Sequence, residues 1–200
     1  MEPASKTYIG IDPGYAITGY GIISKVGNKL SVVDYGAITT KAGVDFPQRL
    51  LTINDTIRGI LDIYKPDYMS IEELFLYRNT TTAIGTAQAR GVVILEAARA
   101  GIPVYEFTPA QVKLAVTGYG KADKNQVSQM VMRLLNLKEM PKPDDVTDAL
   151  AMAICLANTG TGFAGKAVSG YQYGRYGYSK RNEFGLLEFN ICILILRVNW

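Results

Sequence analysis

Two hundred residues, 48% of them hydrophobic and 20% charged, suit one globular domain with a core of useful size and a short extension. The chain has no histidine and two cysteines, Cys155 and Cys192, which excludes the commonest general base and the commonest zinc ligand and offers no disulfide framework; a reducing cytoplasm is the expected setting. Net charge is +3, yet residues 1–160 carry 16 Lys/Arg against 16 Asp/Glu, so any basic, nucleic-acid-binding surface must be local.

The first six residues show no charged stretch leading into an apolar one, so no secretory signal is expected. Residues 7–12 are rich in β-formers, Asp12-Pro13-Gly14 supplies turn chemistry, and 17–24 reads as a second strand. Gly27-Asn28 is a hairpin signal before a third strand, 30–39. Three strands with short connections predict an antiparallel meander. Phe46, Leu50, Ile53, Ile57, Leu61 and Tyr64 then recur at helical spacing until Pro66.

A strand at 67–72 leads through Tyr77-Arg78-Asn79 into a helix over 80–100, rich in Ala and Gly, with Gly101 as its stop. A strand at 104–108, a short helix from Pro109, a Gly118-Tyr119-Gly120 turn and a helix over 124–137 follow, the last with Asp123 and Gln126 as a capping pair. The final helix of the domain begins near Asp144 or Asp145. This order, β-β-β-α-β-α-β and then helices, predicts an α/β ribonuclease-H-like fold, a five-stranded mixed sheet flanked by helices, over residues 1–160. Residues 161–200 differ in character. They hold five basic and two acidic groups, a Gly/Tyr-rich stretch and a hydrophobic end, and read as a poorly ordered tail. Its apolar run, Ile191 to Leu196, is too short to span a bilayer as a helix.

Four carboxylates stand at element ends: Asp12 and Glu72 close predicted strands, and Asp145 and Asp148 share one turn at a helix start. Singly, each has an ordinary explanation. Asp before Pro-Gly bonds its own turn, and acids at a helix start complement the macrodipole. Glu72 fits such an explanation less well, because a charged residue at the inner end of a central strand is uncommon unless paired or solvated. In a ribonuclease-H-like sheet the first and fourth strands are neighbours, so Asp12 and Glu72 would lie side by side under the last helix. Four crowded carboxylates repel, a cost that makes sense where hard divalent cations bind. Two such ions can activate water and stabilise a leaving 3′-oxygen.

The chain resembles the bacterial RuvC family of Holliday-junction resolvases. The matching segments are Ile9-Gly10-Ile11-Asp12-Pro13-Gly14 with Thr18-Gly19-Tyr20-Gly21, Ile71-Glu72-Glu73-Leu74-Phe75 with Arg78-Asn79, Ala87-Gln88-Ala89-Arg90-Gly91-Val92, Pro109-Ala110-Gln111-Val112-Lys113, residues 118–127, and Asp144-Asp145-Val146-Thr147-Asp148-Ala149-Leu150-Ala151. The resemblance implies a homodimeric endonuclease, dependent on Mg²⁺ or Mn²⁺ with two ions per site, that nicks opposite strands of four-way DNA junctions and leaves 5′-phosphates. It assigns the four catalytic, metal-holding positions to Asp12, Glu72, Asp145 and Asp148; many family members carry His where this chain has Asp145. Glu73 points away by strand parity and takes no metal role.

By the same resemblance Lys113 and Lys124 contact DNA near the site, Phe75 stacks on an unpaired base, and Arg78 and Lys121 touch the backbone. RuvA and RuvB enter as implied branch-migration partners. The small residues of the 80–100 helix make it the expected dimer contact, since a two-fold pair of sites suits two symmetric nicks. The competing readings are another nuclease of this fold, acting on structured RNA or unbranched duplex, and a junction-binding protein without catalysis. An ATPase of the actin or sugar-kinase type needs a second lobe for which the chain is too short.

Overall fold

Alternating apolar residues and turn chemistry produce the meander. In the computed structural model, which describes residues 4–73, 80–163 and 166–167, β1 (Lys6–Asp12) pairs antiparallel with β2 (Ile17–Val26), and β2 with β3 (Lys29–Thr39). Helix α1 (Phe46–Tyr64) ends on Lys65, whose left-handed backbone turns the chain just before Pro66. It returns the chain to β4 (Tyr68–Glu72), which lies parallel to β1. Helix α2 (Thr80–Arg99) precedes β5 (Val104–Phe107), parallel to β4. Helices α3 (Pro109–Thr117), α4 (Lys124–Leu135) and α5 (Asp144–Phe163) follow. The five strands run in the order β3-β2-β1-β4-β5, the ribonuclease-H-like arrangement the element order predicts.

The predicted capping pair forms. Asp123 accepts from the Gln126 amide at 2.9 Å and Gln126 accepts in return from the Asp123 amide at 2.9 Å. Two features go beyond the expected outline. Helix α5 continues to Phe163 with a non-helical Gly160 inside it, and β6 (Lys166–Ala167) adds a two-residue antiparallel strand to the outer edge of β5.

Each face of the sheet carries its own core. Ile9, Ile11, Met69, Ile71 and Val104 face α1 and α2, whereas Tyr8, Ile23 and Phe107 pack with α3, α4 and α5. Because side chains alternate, this parity also decides where the polar strand ends point. Asp12 and Glu72 share parity with Tyr8 and Tyr68 and face the α5 side.

Helix α5 lies unusually close to that face. A Cβ at Gly10 would stand 2.0 Å from the Ala149 carbonyl oxygen, and one at Gly19 would stand 2.1 Å from that of Asp145. The missing side chains form a groove, and the small Ala149 and Ala153 of α5 sit in it. Among the described residues no helix is long and apolar enough to cross a membrane.

Candidate active site

Asp12 is the last residue of β1 and Glu72 the last of β4; the register Ile11↔Ile71 makes the two acids neighbours across a parallel pair. The groove over Gly10 and Gly19 then carries the first turn of α5 across them, bringing Asp148 and Asp145 into range. Asp12, Glu72 and Asp148 line one cavity of about 270 Å³, together with Lys113 and Lys124. Its other walls are Pro109, Val112, Val127, Ala151 and Met152. An apolar lining of this kind strengthens every charge interaction inside.

The electrostatics record crowding. Burial, then the charges of Glu72, Asp148 and Asp145, push the Asp12 carboxyl up to about 7 against the opposing pull of Lys124. Burial and Asp148 raise Glu72, and burial raises Asp148 despite Lys124. Lys124 donates to Asp144 Oδ2 at 3.2 Å and to Asp148 Oδ2 at 3.3 Å. Partial burial works against its charge, but the carboxylates outweigh this and its pKa is raised.

Asp145 is half-buried and stands outside the cavity lining, its charge reaching Asp12 and Asp148. Among the described residues no three potential ligand side chains already stand as a closed cation cage. The donor set nonetheless fits a hard divalent cation: it is all oxygen, and at least three of its members are held with raised proton affinity even though Lys124 pulls the other way at Asp12 and Asp148.

Other expected residues separate. Lys113 lines the cavity, whereas Lys121 is exposed on the turn before α4 and does not. Phe75 and Arg78 lie outside the described residues. Glu73 is on the opposite face, as parity predicts: its charge acts on Arg90 of α2, while its amide donates to Phe107 O at 3.0 Å.

Two contributors escaped the sequence reading. Asp144 shares Lys124 with Asp148, and the glycines of β1 and β2 set the height of α5. Alternate glycines at positions 19 and 21 were the available signal, though glycine in a strand equally marks a bulge.

Lys124→Met is expected to raise the Asp148 carboxyl further, because the ammonium that opposes its burial is removed; an NMR titration of that carboxyl checks this.

The family model described as crossover junction endodeoxyribonuclease RuvC matches residues 8–156. The chain belongs to the RuvC family. RuvC of Desulfitobacterium hafniense is 56% identical over 151 residues, covering 76% of this chain and 92% of that protein. RuvC of Ruminiclostridium cellulolyticum is 53% identical over 151 residues, covering 76% and 91%. Among solved structures, Thermus thermophilus RuvC in complex with a Holliday junction substrate superposes with a TM-score of 0.74 at 34% identity, covering 76% of this chain and 93% of that one. The yeast mitochondrial resolvase Ydc2, at 17% identity and a TM-score of 0.52, shares the fold. RuvC relatives are endonucleases acting on DNA, a family whose chemistry depends on divalent metal.

Proposed function

We propose that this chain resolves four-way DNA junctions, as a homodimer, by paired symmetric phosphodiester hydrolysis at Asp12, Glu72, Asp145 and Asp148. The observation that carries the reading is the pairing of Asp12 and Glu72 at adjacent strand ends beneath Asp148, in a cavity that also holds two lysines. The four carboxylates would hold Mg²⁺ or Mn²⁺, two ions per site. Bound there, the metal supplies a water of lowered pKa and stabilises charge on the leaving oxygen.

The chain's own residues do the rest. Val112, Val127 and Met152 exclude bulk water around the reacting phosphate. Lys113 neutralises phosphate charge at the cavity, and Lys124 restrains Asp148. Lys121, exposed on the turn before α4, offers a further backbone contact, and Phe75 and Arg78, outside the described residues, complete the proposed DNA-contacting set. Support for α2 as the dimer contact comes from Ile84 and Leu95, 59% and 49% exposed on that helix. The setting is a bacterial cytoplasm, with RuvA and RuvB as branch-migration partners.

A synthetic mobile four-way junction, incubated with and without Mg²⁺ beside linear duplex of equal length, tests this. Paired symmetric nicks that need both metal and Asp12 are expected. Equal cutting of linear DNA would sink the junction assignment, and binding without nicks under any divalent metal would leave only a junction-binding role.

A further inference from the structure

Arg90, on α2, reaches across the sheet face opposite the cavity. Its Nε donates to the Glu72 carbonyl at 3.3 Å, and its guanidinium is ion-paired with Glu106 of β5. The side chains of Arg90 and Glu106 are 13% and 20% exposed, so the pair is largely withdrawn from solvent. Such a pair is worth more to geometry than to net stability.

The important point is which peptide it grips. The unit joining Glu72 to Glu73 has two polar atoms, and both are tied: the carbonyl by Arg90 and the following amide by Phe107 O at 3.0 Å. Strand β4 ends here, so without Arg90 the Glu72 carbonyl would lose this partner where the chain leaves the sheet. A carboxylate at a free strand end swings with its backbone; this one has its backbone fixed from behind.

Helix α2 also touches the other strand end. Gly85 packs so closely on Tyr15, three residues past Asp12, that a Cβ there would stand 2.9 Å from the ring. Tyr15 is itself held by Thr40, whose hydroxyl donates to its carbonyl at 2.5 Å, and by Arg49, stacked 4.6 Å over its ring. One helix therefore braces, from the far face, both strands that end in cavity acids.

We propose that Arg90 is a positioning residue for Glu72: by fixing the Glu72–Glu73 peptide against α2 and Glu106, it sets the carboxylate of Glu72 for the cation and the scissile phosphate. The inference rests on the proposed function and assigns Arg90 no contact with DNA or metal.

The test uses the full chain and its Arg90→Gln, Arg90→Lys and Glu106→Gln variants. Mn²⁺ binding to the metal-free protein is followed by electron paramagnetic resonance, amide exchange at Glu73 by NMR, and junction cleavage under single turnover. Arg90→Gln is expected to weaken Mn²⁺ binding and slow cleavage by about 10-fold or more, with junction affinity unchanged. It should also speed exchange at the Glu73 amide. Arg90→Lys recovers part of the loss, and Glu106→Gln shifts both readouts in the same direction by less.

The proposal is overturned if Arg90→Gln matches wild type within about twofold in Mn²⁺ affinity and rate. A loss that tracks only the unfolded fraction, and vanishes at a temperature where the variant is fully folded, overturns it equally. Where Arg90→Gln fails to fold, the lysine and Glu106 variants decide by the same readouts. Failure of the wild-type chain to cut junctions defeats the functional reading, and the Mn²⁺ and exchange measurements still judge Arg90.

Discussion

Asp12→Asn is expected to abolish metal-dependent cleavage and, at the same time, to stabilise the metal-free protein above neutral pH. The two effects share a cause. In the folded chain the Asp12 carboxyl is pushed from 3.8 up to about 7, by burial first and by Glu72, Asp148 and Asp145 next. A raised folded pKa means that the native state holds the proton more tightly than the unfolded chain. Native stability therefore falls as pH rises from about 4 towards 7, and above that range the full penalty is present. Asparagine carries no charge and escapes the penalty.

The stability difference should thus be small at pH 4, grow through neutrality and level off above it, reaching about 1–3 kcal/mol. For a chain of this size that is about 3–10 °C in Tm. Saturating Mg²⁺ should shrink or reverse it, because the cation neutralises what the mutation removes. With Asp12 as one of the proposed metal ligands, its loss should forfeit several kcal/mol of transition-state stabilisation, about 10³-fold or more in rate. Calorimetric melts across pH in chelator and in Mg²⁺, beside cleavage assays, check both halves. A variant that loses cleavage but melts like wild type at pH 8 in chelator would contradict the crowded-carboxylate account.

Much of this site was legible because strands impose a rigid alternation. Asp12 and Glu72 each close a β-rich run, and once β1 and β4 are neighbours the parity of Ile9, Ile11, Met69 and Ile71 forces both acids to the other face. The Asp123–Gln126 cap was equally readable, since its signature is local. Contacts between distant elements were not. Nothing near Lys124 announces Asp144 and Asp148 as its partners, because that pairing depends on how α4 lies against α5. The small residues of α2 suggested close packing without saying on which side. In the structure Gly85, Ala89 and Ala97 turn inward, whereas Ala98 is exposed and a Cβ at Gly91 would meet nothing within 4 Å.

Gly19→Ala tests what holds Asp145 and Asp148 over the strand ends. Asp12 and Gly19 are paired in register, and a Cβ at Gly19 would stand 2.1 Å from the Asp145 carbonyl oxygen and 2.4 Å from its carbonyl carbon. Both are backbone atoms, so no rotamer change relieves the clash. The first turn of α5 must lift or β2 must retreat, and either movement carries Asp145 and Asp148 away from Asp12 and Glu72. Overpacking of this kind costs about 1–3 kcal/mol. The functional loss should be larger, because a displacement of about 1 Å at a reacting centre is enough for roughly 10²-fold in rate. Gly59→Ala is the control: it sits in α1, a Cβ there meets nothing within 4 Å, and alanine should be neutral or stabilising by about 0.5–1 kcal/mol. Folded Gly19→Ala protein that cuts at the wild-type rate would mean that the site tolerates a raised α5, and that the glycine groove serves packing alone.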